Sequence, residues 1–270
     1  MAAVINTNMA SLQAQNQLSR TTASLNNTIQ QLSSGLRVNS AGDDASGYAI
    51  AKNMDSVIRG SAVAIRNAND GISLAQTAAG AIETLSNITA RMRELAVQSA
   101  NDANTTNSAL LDLEFKDLAA EADRIIAATE FNKVAVFDTE FTFQIGSGDV
   151  EANDVVALTT GDLADVGLAT AGEVDTQANA VLAIGLLDDA IEALNLEAAT
   201  LGAFQSRMSF AIDNLTSLSQ SVTAAKSRIM DTDFAAQTAQ LSKYQILQQA
   251  GTAMLAQANQ MGSNVLTLLK

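Results

Sequence analysis

Three pairs of carboxylates are the side chains in this sequence best able to do chemistry: Asp43-Asp44, Asp188-Asp189, and Asp231 with Asp233. Paired acids can share a proton for acid–base work or hold a hard cation. Here they stand without helpers. The chain has no His and no Cys, which removes the commonest nucleophile and base near neutral pH together with the usual zinc ligands. Carboxylates so placed are read as helix N-caps or solvated surface. Gly146-Ser147-Gly148 lacks the Lys-Ser/Thr and the following helix of a phosphate loop, so it is read as a hairpin turn. Four Asn-x-Thr matches, at Asn26, Asn87, Asn104 and Asn214, are what chance produces in an Asn- and Thr-rich chain. No catalytic, cofactor-binding or metal-binding residue is assigned, no cofactor is expected, and the chain is not expected to be an enzyme.

The elements that carry these acids must therefore serve something other than catalysis. With 270 residues, 47% of them hydrophobic, the chain can bury a sizeable core. Proline is absent, so nothing removes a backbone donor from a long helix. The net charge of −14 argues against a nucleic-acid partner. No segment approaches the ~20 apolar residues of a membrane span, and the first residues show no basic region followed by an apolar run. Membrane insertion and a cleaved signal peptide are not expected. The charge is unevenly spread. Residues 1–42 hold Arg20 and Arg37 and no acid; residues 230–270 hold Asp231, Asp233, Lys243 and Lys270; the middle keeps 27 acids and 11 bases. Nearly uncharged ends suit contact, and an acidic middle suits solvent.

Periodicity gives the elements. Ile5, Leu12, Leu18, Leu25, Ile29, Leu32 and Leu36 mark one heptad stripe near the start, and Leu247, Gly251, Met254, Ala258, Met261, Val265 and Leu268 mark another near the end. The second is wider than one helical partner needs. From pattern alone, these ends could also form a hairpin docked on their own domain. A Gly- and Ser-rich joint from Ser33 to Gly47 offers Asp43 or Asp44 as an N-cap. Further seams run through Leu74, Ala78, Ala81, Leu85, Ile88, Met92 and Leu95, and through Leu111, Phe115, Leu118, Ala122 and Ile125. The longest runs from Ile184 through Leu187, Ile191, Leu194, Ala198, Leu201 and Met208 to Ile229, a helix approaching about 70 Å. Around 131–160 the period drops to 2, with Phe141, Phe143 and Ile145 in alternation before Val155–Leu158, which predicts a hairpin. The stretch 159–176 is read as a surface excursion. The expected fold is mainly α: a long antiparallel helical rod or coiled-coil bundle built by the two halves of the chain, with a small β-hairpin region.

The residues at both ends resemble those of bacterial flagellins. Val4-Ile-Asn-Thr-Asn8, Leu32-Ser-Ser-Gly-Leu-Arg-Val-Asn-Ser40 and Asp43-Asp-Ala45 are similar to the head of that family. Ser227-Arg-Ile-Met-Asp231, Gln245-Ile-Leu-Gln-Gln-Ala-Gly251, Leu255-Ala-Gln-Ala-Asn-Gln260 and Asn264-Val-Leu266 are similar to its tail, and Arg91–Gln98, Phe131-Asn132 and Leu201–Arg207 to its core helices. Gly42 and Met261-Gly-Ser263 depart from the family pattern. The resemblance implies an extracellular structural subunit, exported without a cleaved signal, that polymerises into a motility filament. It implies an inner tube made from 1–42 and 230–270, ordered on polymerisation, and a core made from 43–178 and 179–229, without large outer domains. Implied self-assembly residues are Ile5, Leu12, Leu18, Leu25, Ile29, Leu32, Leu36, Leu247, Met254, Met261, Val265 and Leu268. Implied partners are further copies of the chain and the export chaperone, cap and junction proteins of the flagellum. A Toll-like receptor is a further implied partner, with Arg91, Leu95 and Glu114 at the contact positions. Two other readings remain: a hook–filament junction protein, which shares this architecture, and a surface binding protein on a flagellin-like scaffold. Two Tyr and no Trp give the latter little with which to stack sugars.

Overall fold

The structure, a computed structural model, describes residues 7–101, 107–146, 148, 154–161 and 172–267, the last seven by their backbone alone. Its elements are α1 (Met9–Ser34), α2 (Ala45–Ser99), α3 (Ser108–Ala128), β1 (Glu130–Phe131), β2 (Val134–Ala135), β3 (Glu140–Gln144), β4 (Val155–Thr159), α4 (Gln177–Met230) and α5 (Phe234–Thr267). Without proline, α2 and α4 run for 55 and 54 residues. The chain divides into one unit formed by 1–56 with 221–270 and another formed by 57–220. Parts of the expected Gly146–Gly148 turn and of the 159–176 excursion lie outside the described residues.

The 57–220 unit holds the main hydrophobic core. On α4 the buried positions are Ala180, Ala183, Leu187, Ala190, Leu194, Glu197, Leu201, Phe204 and Met208, alternating steps of 3 and 4. They pack with Leu74, Ala78, Leu85, Met92 and Leu95 of α2 and with Phe115 and Ala122 of α3. The α2 and α3 seams lie where periodicity put them, with Ala81, Ile88, Leu111, Leu118 and Ile125 partly buried. On α4 the buried position between Leu194 and Leu201 is Glu197, whereas Ala198 faces out. α2 and α4 run antiparallel here: Arg93 Nε meets Asp188 Oδ1 at 2.6 Å, while Ile82 and Ser86 line a groove with Leu194 and Ala198.

The predicted hairpin is the β3–β4 pair, in which Phe141 faces Leu158 and Phe143 faces Val156. Period 2 puts all four on the core side. The Phe143 ring lies 5.7 Å from that of Phe204 on α4, and a Cβ on Gly71 would stand 3.3 Å from it, so a glycine lets α2 approach closely. A second hairpin, β1–β2, was not anticipated. It turns on Asn132 and Lys133, both at positive φ (53° and 67°), the geometry of a type I′ turn. Lysine holds that conformation at a cost that glycine avoids. Lys133→Gly is expected to stabilise the unit by about 1 kcal/mol, read as a rise in melting temperature.

Glu197 lies inside the core beside the Gly161 N–H, and its Oε1 has no partner among the described residues. Burial pushes its carboxyl up, with the Gly161 hydrogen bond opposing. A raised acid binds its proton more tightly in the folded chain than in the unfolded one. Stability from this group is therefore full at acid pH and falls as pH rises from about 4.3, the free value, through the raised one. Thermal melts between pH 4 and 8 should show that decline in the wild type and a flatter profile in Glu197→Gln.

Candidate assembly interface

The unit of 1–56 and 221–270 pairs α1 with α5 in antiparallel fashion. Asn8 Nδ2 donates to Ala258 O at 2.8 Å, Ser11 Oγ to Asn259 Oδ1 at 2.8 Å, and Gln237 Nε2 to Gln31 Oε1. Between these points Leu18 lies against Gly251, where a Cβ would stand 3.3 Å from Leu18 Cδ1.

The seam between the two helices interleaves leucines with polar and small residues. On α1 the covered positions include Ser11, Ala14, Leu18, Thr21, Leu25, Thr28 and Leu32; on α5 they are Gln237, Leu241, Tyr244, Gln248, Gly251, Leu255 and Ala258. Both sets alternate steps of 3 and 4, as a coiled-coil seam does. Thr21 and Thr28 are buried because each hydroxyl donates at 2.9 Å to a carbonyl of its own helix, Gln17 O and Ser24 O, leaving the methyl to pack.

Several large apolar residues of the pair stay exposed. Met9, Leu12 and Ile29 on α1 and Phe234, Ile246, Leu247 and Met254 on α5 are exposed, Ile246 to 65%. Of the residues named for self-assembly, Leu18, Leu25 and Leu32 thus lie in the seam within the chain, and Leu12, Ile29, Leu247 and Met254 face outward. Leu36 packs in the joint. Ile5 and Leu268, and the side chains of Met261 and Val265, lie outside the described residues. Phe234 and Ile246 were not named from the sequence, because neither falls on the stripe from Leu247 to Leu268.

The joint is tightly tied. Gly35 ends α1 at φ +72°, donating its N–H to Gln31 O at 2.9 Å. Leu36 bridges Asp231, and Arg37 donates through its backbone to Met230 O at 2.6 Å and through Nη2 to Ile229 O at 2.5 Å. Val38, Ala51 and Met230 form a small core beneath, with Leu36, Tyr48 and Ile229 around it. Asp44 caps α2 by accepting the Gly47 N–H at 2.9 Å. Asp43 Oδ2 accepts the Ser40 and Asn39 N–H groups and the Ser40 hydroxyl, and those bonds, the Ser40 backbone first, hold its carboxyl below the usual value. Asp233 caps α5, Asp231 accepts from Ser227 Oγ at 2.6 Å, and Lys226 meets Asp55 at 2.6 Å.

In the other unit, Arg91 meets Glu114 at 2.8 Å and Glu94 at 3.0 Å, all on exposed surface. Leu95, expected beside them at a receptor contact, is instead 1% exposed in the core, because its heptad position points inward. Among the described residues no cluster of acids could hold a metal ion and no helix is long and apolar enough to cross a membrane.

A terminal helix pair that leaves large apolar side chains exposed is what a structural protein that associates with other chains presents. The comparisons with known proteins name the family. Residues 5–142 match the bacterial flagellin N-terminal helical region, and residues 184–269 the bacterial flagellin C-terminal helical region. The chain belongs to the bacterial flagellin family. It is similar to the flagellar filament 33 kDa core protein of Treponema phagedenis, at 38% identity over 285 residues covering 99% of this chain and 100% of that one. It is similar to a flagellin of Halalkalibacterium halodurans, at 40% identity over 272 residues with the same coverage. The crystal structure of Bacillus cereus flagellin matches with TM-score 0.51 and 32% identity, covering 60% of this chain and 94% of that one. The chain is a structural subunit of the bacterial flagellar filament and forms a homopolymer.

Proposed function

We propose that this subunit polymerises through the outward apolar side chains of α1 and α5, with Leu12, Ile29, Leu247 and Met254 meeting further copies and Leu18, Leu25 and Leu32 holding the two helices together. The observation that carries this is that Leu12, Ile29, Ile246, Leu247 and Met254 stand exposed on a helix pair whose own seam is already filled by Leu18, Leu25, Leu32, Leu241 and Leu255. Leaving such residues in water forfeits roughly 1.5–3 kcal/mol each, which contact between copies recovers. Ile5, Leu36, Met261, Val265 and Leu268 belong to the same proposal as extensions of the two stripes. Residues 1–42 and 230–270 form the inner tube, and 43–229 the core layer around it.

The filament is extracellular, and the subunit is added to it in company with an export chaperone, cap and junction proteins. Relatives matched over their whole length are flagellins and filament core proteins, which favours the filament over the hook–filament junction. Electron microscopy of purified protein tests this: long filaments formed unaided support it, and short or no polymers count against it.

Recognition by a Toll-like receptor is a second proposal, narrowed to the exposed Arg91–Glu114 pair. Arg91→Ala and Glu114→Ala monomers are expected to activate the receptor about tenfold less well, as an arginine-centred contact would require. Unchanged potency in a cell reporter assay would remove the proposal.

A further inference from the structure

Sulfur supplies a chemistry that polymerisation alone does not use. The sequence holds eight Met, no Cys, no Trp and no His, so methionine is the side chain most open to two-electron oxidants. Among the described methionines the protection is uneven. Met92 and Met208 are 0% exposed and Met230 8%, each in a packed core, and Met54 is half-buried. Met9 and Met254 are 65% and 64% exposed. Those two stand on α1 and α5, among the outward apolar residues to which the proposed function assigns contact between copies.

We propose that Met9 and Met254 are oxidation sites that gate entry of the subunit into the filament; this rests on the assembly surface proposed above. Hydrogen peroxide is the co-reactant. A sulfur lone pair attacks one peroxide oxygen, the O–O bond breaks, and the departing hydroxide takes the proton of the transferred OH and leaves as water. The thioether is oxidised to a sulfoxide and the peroxide reduced. The S=O group is polar and an acceptor without a donor, so it opposes burial of the same surface. Free subunits present both sulfurs to solvent, whereas contact between copies covers them. The filament therefore shields what the monomer exposes, and sulfoxide reduction restores competence.

The test needs no variant. Monomer is treated with hydrogen peroxide to partial oxidation, polymerised, and separated by sedimentation, and the sulfoxide at each methionine is measured by peptide mass spectrometry in pellet and supernatant. Sulfoxide at Met9 and Met254 is expected to be depleted about tenfold in the pellet, a contact weakened by one unpaired polar group, while sulfoxide at Met54 divides evenly. Reduction by methionine sulfoxide reductases should return the supernatant to polymerisation. Equal sulfoxide in both fractions at Met9 and Met254, or depletion only elsewhere, overturns the inference. Failure of untreated protein to form filaments overturns the assembly reading instead.

Discussion

Leu12→Asp combined with Ile246→Asp is expected to abolish filament growth while leaving the melting of the 57–220 unit unchanged. Both residues are more than half exposed in the chain, so neither change opens a cavity. Between copies, each change removes roughly 1.5–3 kcal/mol of apolar burial and adds a charge that must be desolvated. Even about 3 kcal/mol per contact raises the critical concentration by roughly two powers of ten. Sedimentation of the variant at increasing concentration measures that shift directly. Leu25→Asp, in the seam between α1 and α5, should instead disturb the helix pair itself, visible as loss of helical circular dichroism.

Phe115→Ala is expected to produce the largest loss in the core, about 3–5 kcal/mol. The ring is 1% exposed and sits between the α2 and α4 seams, so its removal leaves a cavity that two long helices cannot collapse. For a unit of this size the melting temperature should fall by roughly 10 °C. Leu113→Ala, on the outer face of the same helix, should shift it by less than about 2 °C, because its side chain already stands in solvent. Calorimetry of the two variants in monomeric protein separates the outcomes.

Much of this architecture could be read from spacing. With proline absent, the seams of α2, α3 and α4 ran uninterrupted, and Leu85, Phe115, Leu187 and Leu201 lie in the core as their heptads required. The β3–β4 pair followed from the alternation of Phe141, Phe143 and Ile145. Asp44 caps α2, as one of the two acids in the joint was expected to do.

What spacing could not decide was which face of a terminal helix turns inward. Leu12 and Ile29 were read into one stripe with Leu18, Leu25 and Leu32, but the three leucines turn inward and the other two outward. Thr21 and Thr28 turn inward with the leucines, because a threonine that satisfies its hydroxyl on its own helix packs through its methyl. Glu197 illustrates a second limit. A step of 3 or of 4 from Leu194 both reach Leu201, and a carboxylate was passed over for Ala198. Leu95 was placed at a receptor surface through resemblance while its own period put it in the core. The β1–β2 turn escaped notice because Asn132-Lys133 lacks the glycine that usually marks a type I′ turn.

The central claim is that outward apolar residues of α1 and α5 are covered by other copies of the chain. Electron cryo-microscopy of filaments grown from the purified protein, at a resolution that shows side chains, tests it most directly. Leu12, Ile246 and Met254 should each lie buried against a neighbouring subunit. Filaments in which these side chains face solvent, with the helix pair touching no other copy, would contradict it.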